Sequence, residues 1–198
     1  MLSLKEMQAL VTSARRPADN DALEAIISTQ EDASLRCPSV EAHYYRFLYR
    51  LCQMVKPGLI LELGTHTGIS AACMAEGNPD SIVITVNCLQ ELWEHCRRDN
   101  VIYLHQDSLK DVFLPGRIDI LFIDTNHNGT LFVEEFNKFT SFLAEDGVVF
   151  IDDISLNQAM REGWKTFNPE GWIKFELLVH GDAGFGALIR AKSPQEGK

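Results

Sequence analysis

Five short apolar runs in this chain each end in a polar or acidic side chain. The endings are Glu62 with Gly64, Asn87, Asp107, Asp124, and Asp152 with Asp153. Open α/β sheets bind ligands outside the carboxyl ends of their strands, so five such endings point to one binding edge. The stretch Gly58-Leu-Ile-Leu-Glu-Leu-Gly-Thr-His-Thr-Gly-Ile-Ser70 says most. A strand-like run meets Gly64 and Gly68 and then a helix start, a combination suited to a nucleoside or an anionic group. Glu62 breaks the apolar run, and burying a carboxylate costs roughly several kcal/mol unless something binds it. A local rule broken inside such a motif points to function before packing.

Hydrophobic periodicity predicts the elements that position these residues. Residues 3–32 read as two helices punctuated at Pro17, with Leu4, Met7, Leu10 and Val11 on one face. Ser39 caps a helix over 40–55 that carries Tyr44, Phe47, Leu48, Leu51 and Val55 on one side. Strands are expected at 59–63, 81–86, 101–104, 118–123 and 147–151, with helices to about Glu76, over 89–98, over 130–143 and over 156–166. Two further strands, 172–179 and 185–191, flank a Gly181-Asp-Ala-Gly184 turn and read as a hairpin. The fold class is therefore α/β. A mostly parallel, seven-stranded, Rossmann-like sheet carries helices on both faces and ends in an antiparallel hairpin. Residues 1–38 form a helical extension, a lid or a dimer contact; 39–192 form the binding domain; 193–198 form a disordered tail.

Composition narrows the partners. With 45% hydrophobic and 23% charged residues, the chain reads as a folded soluble protein. A net charge of −10 argues against a nucleic-acid backbone and against an anionic membrane. No apolar run reaches the roughly 20 residues of a spanning helix, and the charged N-terminus is unlike a signal peptide. Cys37, Cys52, Cys73, Cys88 and Cys96 form no Cys-x-x-Cys pair, so they read as reduced thiols of a cytoplasmic protein.

Glu62-Leu-Gly-Thr-His-Thr-Gly68 resembles motif I of the class I S-adenosylmethionine-dependent methyltransferases. Phe122-Ile-Asp-Thr-Asn-His127 and Val149-Phe-Ile-Asp-Asp-Ile154 resemble the segments that follow strands 4 and 5 in the small-molecule O-methyltransferases. The likeness is to the cation-dependent catechol- and caffeoyl-type group and its bacterial sugar- and antibiotic-modifying relatives. His180-Gly-Asp-Ala-Gly-Phe-Gly186 suits that group too, and the resemblance spans about residues 38–191.

The resemblance implies S-adenosyl-L-methionine as cofactor and a small-molecule hydroxyl as acceptor. It implies a cofactor set of Glu62, Gly64, Thr65, Gly68, Ser70, Asn87, Asp107, Ser108 and Asp124. Asn87 stands where the family usually places an acidic residue on the ribose, so one charge-assisted bond is lost there. Asp107 and Ser108 match the adenine-contacting segment. Asp124, Asp152 and Asp153 are implied to hold a divalent cation, and hard oxygen ligands suit Mg²⁺, Mn²⁺ or Ca²⁺ over zinc. His127, where some relatives place a catalytic lysine, is expected to act with Asp124 in catalysis, with an unperturbed pKa suited to proton transfer. A homodimer is expected from the apolar face of Leu4, Met7, Leu10 and Val11.

Plainer roles compete at each position. Glu62 also reads as a satisfied structural carboxylate, Asp107 as a turn cap, Asp152 and Asp153 as helix N-caps, and His127 as an exposed loop histidine. The competing functions are a nicotinamide-dependent oxidoreductase, disfavoured because the loop reads Gly-x-x-x-Gly, and a binding module of the same fold without turnover.

Overall fold

The computed structural model describes residues 2–28, 42–89, 96–177, 179 and 183–191 of the 198. Most of the helix expected over 89–98, the Ser39 cap, Cys37, His180, the Gly181-Asp182 half of the hairpin turn and the 193–198 tail lie outside the described residues.

Helices α1 (Leu4–Ala14), α2 (Asp21–Ser28) and α3 (Ala42–Val55) precede strand β1 (Leu59–Leu63). The chain continues through α4 (Ile69–Gly77), β2 (Ile82–Asn87), β3 (Val101–His105), β4 (Ile118–Ile123), α5 (Leu131–Phe139), β5 (Leu143–Asp152), α6 (Gln158–Thr166), β6 (Trp172–Leu177) and β7 (Phe185–Arg190). The seven strands form one sheet in the order β3-β2-β1-β4-β5-β7-β6. β7 runs antiparallel between β5 and β6, and β3-β2-β1-β4-β5 pair parallel. This is the expected fold class.

Alternation along the strands divides the core into two layers. Ile60, Ile120, Phe122, Val148, Phe150 and Phe185 pack against α1 to α4. Leu61, Leu63, Leu121, Ile123, Val149 and Ile151 pack against Phe132, Phe136 and Phe139 of α5 and Met160 and Trp164 of α6. Phe47 joins the first layer, edge-on to Phe150 at 5.9 Å and to Phe185 at 5.4 Å.

One boundary is corrected here. The α5 helix ends at Phe139, passes through a single 3₁₀ turn, and β5 begins at Leu143 instead of 147. The early start pairs Leu143 with Ile118 across a register shift. Gly147 permits it, since a Cβ there would sit 2.6 Å from Leu143 Cδ2 and 2.9 Å from the Ile118 carbonyl. The apolar face of α1, the reason for expecting a dimer, is covered within the chain. Met7 and Leu10 are buried in the first core layer, with Leu4 and Val11 packed against it. No described residue of 2–28 lines the cavity described below. Among the described residues, no helix is long and apolar enough to cross a membrane.

Candidate functional site

β1 lies between β2 and β4, and the chain leaves it in opposite directions on the two sides. A crevice opens at this switch point, outside the carboxyl ends of the strands. It is a cavity of about 780 Å³, within the range of about 300–1,000 Å³ that suits small ligands. Residues 64–67, 87–89, 107–109, 124–127 and 152–153 line it, with Tyr44, Tyr45, Ser70 and Leu131. All five polar strand endings therefore meet at one cavity, Glu62 excepted. A second hollow of about 790 Å³ lies between α5 and α6, and none of the five strand endings lines it. Of its lining residues only Glu134 and Glu162 are ionisable, so it lacks the convergent polar groups of a reactive site.

At one end, Glu62 supports the wall from behind. The β1–β2 register sets Glu62 opposite Thr85, and the Thr85 hydroxyl donates to its carboxylate at 2.5 Å. The Ser70 hydroxyl, from the first turn of α4, donates to the other oxygen at 2.5 Å. Thr85 Oγ1 also lies 2.7 Å from Thr65 Oγ1 in the glycine loop. Burial pushes the Glu62 carboxyl up to about 8, against the pull of its two hydroxyl donors. Glu62 thus fastens strand, loop and helix, while Thr65 and Ser70 reach the cavity.

The two glycines differ in what they answer to. Gly64, at φ 101°, packs against β4: an added Cβ would lie 1.7 Å from the Asp124 carbonyl oxygen. Its N–H donates to Val86 O at 2.8 Å, and the Asp124 N–H donates to Leu63 O at 2.8 Å. Gly68, at φ 79°, turns the chain into α4 in a conformation that side chains resist.

Further along the cavity wall, the Asn87 amide donates to Leu89 O at 3.0 Å. The exposed Asp107 accepts from the Leu109 N–H at 2.9 Å, which is the turn-cap role. The Ser108 hydroxyl donates to Glu135 Oε1 at 2.5 Å.

The acidic end follows from register. Phe122 pairs with Phe150 and Ile123 with Ile151, so one step further Asp124 stands beside Asp152. Side-chain alternation turns both toward the α3 face, where burial, then the charges of Asp152 and Asp124, push the Tyr44 hydroxyl well above its ordinary value. Asp124 keeps 27% of its side chain exposed, yet the protein around it pushes its carboxyl up to about 6, with Asp152 adding repulsion. Asp153 adopts φ 56°, left-handed backbone that non-glycine residues avoid and that clusters at functional sites. The turn brings its carboxylate to His127, with Nε2 2.8 Å from Asp153 Oδ2 and 3.7 Å from Asp124 Oδ1. Nε2 is sealed from water but lies off the line of a directed hydrogen bond, so charge holds the imidazole more than N–H geometry does. Asp124 and Asp153 hold its pKa up, to about 10.

Neither aspartate of this pair caps α6. That role belongs to Asn157, which accepts from the Met160 N–H at 2.9 Å and donates to His127 O at 2.9 Å. Donor atoms of Asp124, His127 and Asp153 all lie within 4.8 Å of one another. The cluster differs from the expected trio by having His127 where Asp152 was placed. Asp152 lines the cavity beside it.

Sequence reasoning missed Glu135, Asn157 and Thr85. Glu135 carried a signal: it falls on the α5 side that buries Phe132, Phe136 and Phe139. Asn157 and Thr85 carried none, because a cap and a strand threonine look the same whether or not they serve a site.

Residues 61–154 match the family model of a methyltransferase domain. Solved structures share the fold across nearly the whole chain. The O-methyltransferase TomG from Streptomyces achromogenes, in complex with S-adenosylmethionine, aligns with a TM-score of 0.68 at 17% identity, covering 97% of this chain and 100% of that one. The O-methyltransferase from Bacillus cereus, in complex with S-adenosylhomocysteine, aligns with a TM-score of 0.67 at 20% identity, covering 92% and 96%. The S-adenosylhomocysteine-bound methyltransferase of Podospora anserina aligns with a TM-score of 0.72 at 17% identity, covering 97% and 99%. The chain is thus similar to class I S-adenosylmethionine-dependent methyltransferases, in sequence motif and in fold.

Proposed function

We propose that this protein transfers a methyl group from S-adenosylmethionine to a hydroxyl oxygen of a small molecule. The observation that carries this reading is the single cavity that joins a glycine-loop end to a carboxylate–imidazole end. Bound there, the cofactor supplies an electrophilic methyl on a positively charged sulfur. The chain's own residues do the rest. The 64–67 loop and the 87–89 and 107–109 turns form the cofactor's wall, and Gly68 lets the backbone of the loop approach it. Asn87 takes the ribose by hydrogen bonds without a charge. Tyr44, Tyr45 and Leu131 give the acceptor an apolar surface, and holding it in line with the methyl group accounts for much of the rate gain. Asp124, whose carboxyl is pushed up to about 6, receives the acceptor's proton, and His127, held as the imidazolium by Asp124 and Asp153, lends positive charge to the oxygen as it attacks.

The acidic end also fits a divalent cation. The buried His127 Nε2 sits between two carboxylates at 2.8 and 3.7 Å, spacings close to those of neighbouring ligands around one ion. Asp124 and Asp153 would hold such an ion, with His127 and Asp152 beside them. When bound it would acidify and orient the acceptor hydroxyl.

A second reading, a binding module without turnover, is favoured by Asn87, whose amide is already engaged by Leu89 O. Calorimetric titration with S-adenosylmethionine and S-adenosylhomocysteine, with and without Mg²⁺, tests both. Micromolar binding is expected, tightened by Mg²⁺. No binding under either condition removes the methyltransferase reading. Binding without methyl transfer to any of a panel of catechols, sugars and polyketide hydroxyls selects the module.

A further inference from the structure

The least expected side chain near the cavity is Glu135. It is fully buried on α5, one turn beyond the cavity-lining Leu131. Its two oxygens take different partners. Oε1 accepts from the Ser108 hydroxyl at 2.5 Å, and Oε2 accepts from the Thr125 hydroxyl at 2.8 Å. Ser108 belongs to the loop after β3, Thr125 to the loop after β4, and both line the cavity. One turn further along the same face, Lys138 Nζ donates to the Ser108 carbonyl at 2.8 Å and to the Lys110 carbonyl. The loop it grips is otherwise exposed at Asp107, Leu109 and Lys110. Burial pushes the Glu135 carboxyl up while both hydroxyls pull it down, as for a buried group whose donors are in place.

We propose that Glu135 is a positioning residue: with Lys138, it fixes the 107–109 loop against the Asp124 loop and so sets the width of the cofactor's wall. The inference rests on the cofactor reading given above. It also assigns Ser108 a different part from the one its sequence position implies. Its hydroxyl serves the brace, and the loop meets the cofactor through its backbone and through Leu109. A buried carboxylate spanning two loops costs desolvation that an apolar residue would avoid, and a fixed wall is the return.

S-adenosylhomocysteine is the probe, titrated by calorimetry into the full-length protein and its variants, with a urea midpoint recorded for each. Glu135→Ala is expected to weaken binding about tenfold, the scale of lost hydrogen bonds to a charged group. Glu135→Gln, which can still meet both hydroxyls, is expected to recover binding to within about threefold of wild type. Lys138→Met, at a half-buried position, is expected to weaken binding about fivefold and decides the matter if Glu135→Ala does not fold. Ser108→Ala is expected to add nothing in the Glu135→Ala background, because both act through one contact. The proposal is overturned if Glu135→Ala and Lys138→Met lower the urea midpoint while binding stays within twofold, which is the result of a merely structural brace. Full additivity of Ser108→Ala overturns it too, since Ser108 would then reach the cofactor itself. Wild type that binds no S-adenosylhomocysteine is a different result: it removes the cofactor reading, and the brace with it.

Discussion

The two ends of the cavity treat their carboxylates in opposite ways. At the glycine-loop end, Glu62 is fully buried and both its oxygens accept hydroxyl donors. At the acidic end, Asp124 stands beside Asp152, with Asp153 held in left-handed backbone and one imidazole among them. The first arrangement is closed: its carboxylate is satisfied by the protein and does not line the cavity. The second leaves charge over and directs it into the cavity. A buried acidic residue is therefore not by itself a sign of chemistry. What separates support from reactivity is whether the neighbours are donors or further acids.

Breaking the closed end should cost the most. Gly64→Ala puts a Cβ 1.7 Å from the Asp124 carbonyl at φ 101°, so strand and loop must part. A stability loss of about 3 kcal/mol or more is expected from urea unfolding. A loss under about 1 kcal/mol would show that the β1–β4 crevice is more plastic than its geometry implies.

Glu62 gives a prediction with a defined sign. Its folded pKa, about 8, lies above the ordinary 4.5, so the folded state holds a proton that the unfolded chain releases. Its contribution is fully present below about pH 4.5 and is lost as pH rises toward 8. The slope between those limits is up to about 1.4 kcal/mol per pH unit. Glu62→Gln keeps the shape and removes the proton. Wild type should lose stability between pH 5 and 7.5 relative to the variant, read from paired urea curves. Parallel curves would mean that the carboxylate is charged in the fold and stabilised by Ser70 and Thr85.

The same contrast explains what could be read from the sequence. The strands were legible because Leu59–Leu63 and Ile118–Ile123 are, but for Glu62 and Asp119, apolar on both faces, and their polar endings marked the cavity edge. The placement of Gly64, Asn87, Asp107, Asp124 and Asp153 on one cavity followed from that edge alone. Direction was not legible. Whether Glu62 faces a ligand or Ser70 depends on α4 packing over β1, and whether Asp153 meets His127 depends on one backbone angle. The start of β5 was misplaced because Glu145 and Asp146 look like a loop, while the pairing of Leu143 with Ile118 is a non-local fact. Glu135 was overlooked for a related reason: Ser108 and Thr125, its partners, lie 27 and 10 residues away in sequence.

The mildest change sharpens the comparison from the acidic end. Asp124→Asn is nearly isosteric and leaves the backbone that Gly64 packs against. It removes one charge from a site where Asp152 and Asp153 repel it and only His127, at 3.7 Å, attracts it. Relief of that crowding should raise stability at pH 7.5 by on the order of 1 kcal/mol, while methyl transfer falls, because repulsion held in reserve for a ligand is what function requires. Glu62→Ala, at the closed end, should instead lower stability by leaving Ser70 and Thr85 without their acceptor. The two variants are thus expected to move the urea midpoint in opposite directions. Millimolar MgCl₂ or MnCl₂ adds a control: an ion that occupies the acidic end should raise the midpoint of wild type and not that of Asp124→Asn. If Asp124→Asn is destabilised as much as Glu62→Ala and neither salt distinguishes it from wild type, the acidic end is as closed as the other. His127 is then its internal counter-ion, and the cation has no place there.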